Sequence, residues 1–149
     1  MDSKFTVLIA DDDNDDKLLV RKAFAEFGHD NAVIAVNDGL DLINYLEEAL
    51  NGEKSIPSLI MLDLNMPRID GKAALAHIKS SDEFRHIPVA IFSTSNQEDE
   101  VRKCYQLGAN CYISKPDSFG RLVTLMQNLY RFWFESASLP KSVDGHAPK

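Results

Sequence analysis

The fold is decided by the run Leu59-Ile60-Met61-Leu62-Asp63-Leu64-Asn65-Met66-Pro67-Arg68-Ile69-Asp70-Gly71. Its first four residues are apolar without interruption, which is typical of a strand covered on both faces of a parallel sheet. The strand ends on Asp63, and the proline that follows indicates a turn. Asp70 is suited to cap a helix at its first turn. The run therefore predicts a strand, a turn and a helix, in that order.

The same succession recurs along the chain, where apolar runs of strand length alternate with segments of helical periodicity. This alternation is typical of a parallel sheet covered by helices. It predicts an α/β fold, doubly wound, with five strand-helix units and no internal repeat. The predicted strands are residues 5–10, 32–36, 59–62, 89–92 and 110–113.

Length and composition set further bounds. A chain of 149 residues with 44% hydrophobic and 26% charged residues is typical of one globular domain. The formal net charge of −7 argues against binding to nucleic acid, because such proteins need a cationic surface. We expect one folded domain over residues 1–135 and a flexible C-terminal tail over residues 136–149.

The cysteines and the N-terminus bear on location. Cys104 and Cys111 form at most one bridge and lack metal-ligand spacing, which favours a reducing compartment. Residues 1–10 contain neither the apolar core of a signal peptide nor a membrane-spanning segment. These patterns predict a cytoplasmic protein without membrane contact.

Chemically active side chains follow four of the five predicted strands. Ligands of an open parallel sheet bind beyond the carboxyl ends of its strands, so these side chains are expected to converge. The set would combine three carboxylates, a hydroxyl and an ammonium. It consists of Asp11, Asp12, Asp63, Ser93 with Thr94, and Lys115.

Such a set favours phosphoryl chemistry on a metal ion. Carboxylates crowded together raise each other's pKa values unless a cation offsets their charge, and oxygen ligands suit Mg²⁺. Mg²⁺ and Lys115 would neutralise the phosphoryl oxygens, and the hydroxyl of Ser93 would donate to one of them. A carboxylate oxygen of Asp63 could then attack in line and form an aspartyl phosphate.

Four motifs together resemble the receiver domains of two-component response regulators. They are the acidic pair Asp11-Asp12, the run from Leu62 to Gly71, Ser93-Thr94, and Tyr112-Ile113-Ser114-Lys115-Pro116. The resemblance covers residues 5–134. It implies a CheY-like receiver domain over residues 1–135, with a flavodoxin-like sheet in strand order 2-1-3-4-5 flanked by five helices.

The resemblance also implies a role for each acidic residue. Asp63 would accept a phosphoryl group from a sensor histidine kinase. Asp12 and Asp63 would bind Mg²⁺ together with the backbone carbonyl of Asn65, while Asp11 would orient metal-bound water and so belongs to the same metal site.

Three further residues take roles in the same resemblance. Ser93 and Lys115 would hold the phosphoryl oxygens. Ser93 and Tyr112 would form the switch, in which the aromatic ring turns inward as the hydroxyl moves toward the phosphate. A cis peptide at Lys115-Pro116 is implied as well.

The end of the chain is similar to a second, narrower group. Phe132-Trp133-Phe134-Glu135, followed by Ser138-Leu139-Pro140, resembles the C-terminal extension of small regulators paired with bacterial and cyanobacterial phytochrome kinases. This implies a homodimer through the fourth helix, fifth strand, fifth helix and C-terminal extension. The kinase would then be a bacteriophytochrome. With no output module expected, the signal would pass to a downstream protein or phosphotransfer partner.

Two other functions remain open from the residues alone. An aspartate-nucleophile phosphohydrolase would form the same intermediate, but such enzymes generally carry a second aspartate where this chain has Asn65. A binding module that never takes phosphate is the other alternative.

Asp13, Asp15 and Asp16 are interpreted as residues that cap or start the first helix.

Overall fold

The computed structural model describes residues 5–140. Its five strands are parallel and lie in the order β2-β1-β3-β4-β5, with five α-helices between and after them. The predicted fold class and strand order are confirmed. The elements are β1 Val7–Ala10, α1 Asn14–Ala25, β2 Val33–Val36, α2 Gly39–Leu50, β3 Leu59–Leu62, α3 Gly71–Ser80, β4 Val89–Ser93, α4 Glu98–Gln106, β5 Cys111–Ser114 and α5 Phe119–Tyr130.

Alternate residues of each strand enter two cores, one on each face of the sheet. In β1, Leu8 packs in the core with α2 and α3, while Ile9 packs in the core with α1 and α5. In β3, Ile60 and Met61 divide in the same way. Burial on both faces explains why β1 and β3 read as continuous apolar runs.

Side chains at the helix N-termini fix where the chain leaves the sheet. Asp13 accepts hydrogen bonds from the backbone N–H groups of Asp15 and Asp16, and so caps α1. Asp70 accepts from the N–H of Ala73 over 2.9 Å and caps α3, as predicted. Capping contacts of this kind typically stabilise a helix by about 1 kcal/mol.

The chain continues past α5 in a π-helical segment, Arg131–Ser136. The predicted tail over residues 136–149 begins at the end of this segment, and its residues 141–149 lie outside the described part of the chain. Within residues 5–140, every helix is too short or too polar to cross a bilayer.

Candidate functional site

The central strands place two carboxylates side by side. Ala10 of β1 is in register with Leu62 of β3, so Asp11 and Asp63 are the first residues beyond two neighbouring strands. The backbone N–H of Asp63 donates to the carbonyl of Ala10 over 3.0 Å, which continues the ladder by one step. Because β1 lies between β2 and β3, these strand ends are where the sheet connectivity reverses.

Asp11, Asp12 and Asp63 form a compact cluster of oxygen atoms. One carboxylate oxygen from each lies within 4.8 Å of the others. Asp11 and Asp63 are buried, while Asp12 is exposed. Hard oxygen donors around one opening suit a divalent cation that keeps some of its water. The donor set therefore fits a divalent cation.

Burial and charge act together on Asp63. The pKa of its carboxyl is raised to about 6, chiefly because burial removes the carboxylate from water. The positive charge of Lys115 lowers this pKa, while the negative charges of Asp11 and Asp12 raise it. A carboxylate destabilised in this way gains from a nearby cation, because positive charge favours the ionised form. The raised pKa of Asp63 and the close approach of the three carboxylates both favour a bound cation.

Lys115 reaches the acidic cluster from the end of the edge strand β5. It directly follows β5, and its side chain is only 11% exposed. Its ammonium donates to Asp11 over 2.9 Å and to Asp16 over 2.7 Å, while the nearest oxygen of Asp63 is 3.7 Å away. Although burial lowers the pKa of Lys115, its hydrogen bonds to Asp16 and Asp11 raise that pKa above its ordinary value. The ammonium therefore stays charged.

Ser93 and Tyr112 meet at a third residue. Ser93, the last residue of β4, is fully buried, and its hydroxyl accepts a hydrogen bond from the backbone N–H of Ser95. The Tyr112 hydroxyl donates to the carbonyl of Ser95 over 2.8 Å. The ring of Tyr112 is half-buried and packs against the core on the α2, α3 and α4 side. Thr94 is exposed.

The loop after β3 is held against its neighbours at both ends. A Cβ on Gly71 would lie 2.2 Å from the carbonyl oxygen of Asp63, so only glycine lets α3 start this close to the strand end. Arg68, in the left-handed conformation with φ of 66°, donates two hydrogen bonds to Asp38 and one to Asp41. These contacts tie the loop to the start of α2.

Asn65 lies in this same loop. Its residue is exposed, and it lines an open cleft with Lys72 and Glu100, whose charged groups pair at 2.5 Å. It lies two residues beyond Asp63 in the chain.

Two expectations differ from the structure. Asp16 is half-buried and accepts a hydrogen bond from Lys115. Its interpretation as a residue that only caps or starts α1 missed this contact. No sequence signal could identify the contact, because the two residues are 99 positions apart. The cis peptide expected at Lys115-Pro116 is wrong: residues 5–140 contain no cis peptide bond. The trans isomer is the more stable form of such bonds.

Comparison with known proteins places the chain among response regulator receiver domains. A family model for the response regulator receiver domain matches residues 7–127. Response regulator Rcp1 of Synechocystis sp. is 36% identical over 135 residues, which are 90% of this chain and 92% of that protein.

Solved structures agree with this match. The phosphorylated cyanobacterial phytochrome response regulator RcpA has a TM-score of 0.85 at 34% identity, covering 93% of this chain and 100% of that one. The Mn²⁺-bound form of Rcp1 has a TM-score of 0.80 at 34% identity, covering 91% of this chain and 99% of that one.

Proposed function

Since this chain belongs to the response regulator receiver domain family, we propose that Asp63 accepts a phosphoryl group from a sensor histidine kinase. The observation that carries the proposal is the position of Asp63. Its carboxylate is buried, within 4.8 Å of oxygens of Asp11 and Asp12 and 3.7 Å from the ammonium of Lys115.

The reaction follows from this arrangement. An oxygen of Asp63 attacks the phosphorus atom, an acyl phosphate bond forms, and the bond from phosphorus to the donor nitrogen or oxygen breaks with its electron pair leaving on the donor. Lys115 and the Ser93 hydroxyl donate to the phosphoryl oxygens as charge builds up on them. Asn65 stands where aspartate-nucleophile hydrolases carry a second aspartate, and its amide cannot pass a proton to the leaving group.

Mg²⁺ is the proposed metal, and it would supply positive charge to the phosphoryl oxygens when bound. Asp12, Asp63 and the backbone carbonyl of Asn65 would hold it, with Asp11 orienting its water. The three carboxylate oxygens within 4.8 Å support this assignment. The Mn²⁺-bound form of Rcp1 supports a divalent ion in a similar chain.

Intact mass measurement tests the proposal. Wild-type protein incubated with Mg²⁺ and acetyl phosphate should gain one phosphoryl group, and Asp63→Asn should gain none. The adduct should be absent without Mg²⁺ and should be labile, as acyl phosphates are. Steady turnover of varied phosphomonoesters would instead identify a phosphohydrolase, and a wild type that never gains mass would identify a binding module.

The proposed output is a change of shape without turnover chemistry, so the chain acts as a signalling protein rather than an enzyme. Ser93 and Tyr112 form the switch, because both contact Ser95 at the start of the loop to α4. Phosphorylation biases the equilibrium between two arrangements of this loop by binding one of them better. A downstream protein, or a phosphotransfer partner, would read the result.

We further propose that the kinase is a phytochrome kinase and that the chain forms a homodimer. RcpA is a phytochrome response regulator, and its similarity covers 93% of this chain.

The dimer would use the α4-β5-α5 face with the C-terminal extension, where Phe132 is 55% exposed beside Trp133. Light scattering should show a dimer, and Phe132→Asp should shift it to monomer. A monomeric wild type, with and without beryllofluoride, would contradict the dimer.

The remaining assignments follow the same reasoning. We propose a single receiver domain over residues 1–135 with a tail over residues 136–149. Cys104 is a buried free thiol and Cys111 a half-buried one, which supports a reducing cytoplasm. The net charge of −7 supports a partner other than nucleic acid.

A further inference from the structure

We infer that Asp16 is a positioning residue for phosphoryl transfer: it holds the Lys115 ammonium away from Asp63, so that the space between them stays open for a phosphoryl oxygen. The inference rests on the proposed function of Asp63. It extends that function to a residue outside the metal-binding cluster.

The Lys115 ammonium gives two of its hydrogens to carboxylates other than Asp63. A lysine ammonium has three N–H donors. Asp11 accepts one over 2.9 Å and Asp16 accepts another over 2.7 Å. The distance of 3.7 Å to Asp63 is too long for a hydrogen bond. The third N–H of Lys115 is therefore bonded neither to Asp11 nor to Asp16, and the ammonium that carries it lies 3.7 Å from Asp63.

Asp63 attracts the Lys115 ammonium in competition with Asp16. Asp63 carries the opposite charge, is buried like Lys115, and lies close enough for strong attraction in a medium of low dielectric. Without a second anchor, Lys115 would keep Asp11 and move into contact with Asp63. Such a contact would engage the attacking carboxylate and close the gap that a phosphoryl oxygen must enter.

Asp16 is placed to prevent this movement of Lys115. It lies on α1, one turn beyond the capping residue Asp13, and α1 packs against α5, which follows Lys115 in the chain. Among residues 5–140 the ammonium has two hydrogen-bond acceptors for its three N–H groups, so Lys115 has no need to release Asp16 when a phosphoryl group arrives. Asp16 therefore acts as an anchor for Lys115 and does not compete with the phosphoryl group.

Asp15 offers a matched control. It lies in the same turn of α1 and is exposed, and its carboxylate makes no hydrogen bond or ion pair to any residue in the 5–140 range. Asp15→Asn and Asp16→Asn remove the same charge from the same helix end. Any difference between them reports the contact with Lys115 and not the general charge of the site.

The experiment measures the rate of adduct formation with acetyl phosphate as a function of Mg²⁺ concentration, by intact mass. We expect Asp16→Asn to lower the rate at saturating Mg²⁺ on the order of tenfold. The Mg²⁺ concentration at half-maximal rate should stay within about twofold of wild type, because Asp16 is not a metal ligand. Asp15→Asn should match wild type, and Asp16→Glu should recover most of the lost rate.

A crystal structure of Asp16→Asn without phosphodonor gives a readout independent of activity. Lys115 should move to about 3 Å from Asp63, within hydrogen-bond distance. An Asp16→Asn protein with wild-type rate, or with Lys115 unmoved, would overturn the inference while leaving the role of Asp63 intact. A wild type that gains no phosphoryl group at any Mg²⁺ concentration would overturn the proposed function and this inference with it.

Discussion

The Tyr112 hydroxyl donates a hydrogen bond of 2.8 Å to the backbone carbonyl of Ser95. The N–H of the same Ser95 donates to the Ser93 hydroxyl over 3.2 Å. One backbone residue thus lies between the two side chains of the proposed switch. A shift of Ser93 toward a phosphoryl group would pull on Ser95, and Tyr112 would respond through the carbonyl.

Tyr112→Phe should destabilise the fold by about 1 kcal/mol, the usual net value of one hydrogen bond, in urea denaturation. Ser93→Ala should also be destabilising, because Ser93 is fully buried and its hydroxyl accepts from Ser95. Because both act on Ser95, the double variant should lose less than the two single losses added together. Strict additivity would show that Ser93 and Tyr112 are not coupled through Ser95.

Arg68→Ala should lower the melting temperature by several degrees at neutral pH, because it leaves the buried Asp38 without its partner. The hydrogen bond from Arg68 holds the pKa of Asp38 below its ordinary value of 3.8. The stabilisation is therefore fully present above pH 3.8 and is lost as the pH falls through the lowered pKa.

Arg85→Ala is the control for this prediction, since Arg85 pairs with Asp82 on the surface with both side chains exposed. Its melting temperature should change by about one degree or less. Calorimetry from pH 7 to pH 2 measures both variants. If the gap between wild type and Arg68→Ala stayed constant across that range, the Asp38 contact would not be its cause.

Divalent cation affinity should fall as the pH drops below about 6. Burial raises the pKa of Asp63 to about 6 in the metal-free protein, so a proton must leave this carboxyl before it can bind an ion. Isothermal titration with Mg²⁺ from pH 5 to pH 8 should show affinity rising up to about pH 6 and then levelling. Asp63→Asn should lack this step, and a wild-type affinity that does not change between pH 5 and pH 8 would contradict the prediction.

Gly71→Ala should destabilise the protein by about 1–3 kcal/mol, because the added methyl group would overlap the carbonyl oxygen of Asp63 at the start of α3. Gly120→Ala, in α5, is the matched control, since a Cβ there meets no atom within 4 Å. It should be neutral or stabilising, as alanine favours helix. Equal effects of the two substitutions in urea denaturation would exclude the close approach of α3 to β3 as the reason.

The fold and most of the candidate site could be predicted from local patterns. Parallel strands end at one edge of the sheet, so the residues at or just beyond the ends of β1, β3, β4 and β5 were expected to lie near one another once the strands were identified. Asp11, Asp63, Ser93 and Lys115 were identified in this way. The cap at Asp70 was also readable, because capping depends on neighbours only three residues away.

The remaining contacts depend on distances that no local pattern encodes. The partner of Asp16 is 99 residues away, and that of Arg68 is 30 residues away. Strand order brings the elements together, but the reach and direction of each long side chain are settled only when helices pack on the sheet. The sequence by itself determined which groups gather at the strand ends, because the pattern of apolar residues identifies each strand and therefore the residue at which it ends. Tertiary packing alone decided which carboxylates hold Lys115, because one ammonium among several acids takes the oxygens that the packed helices bring nearest.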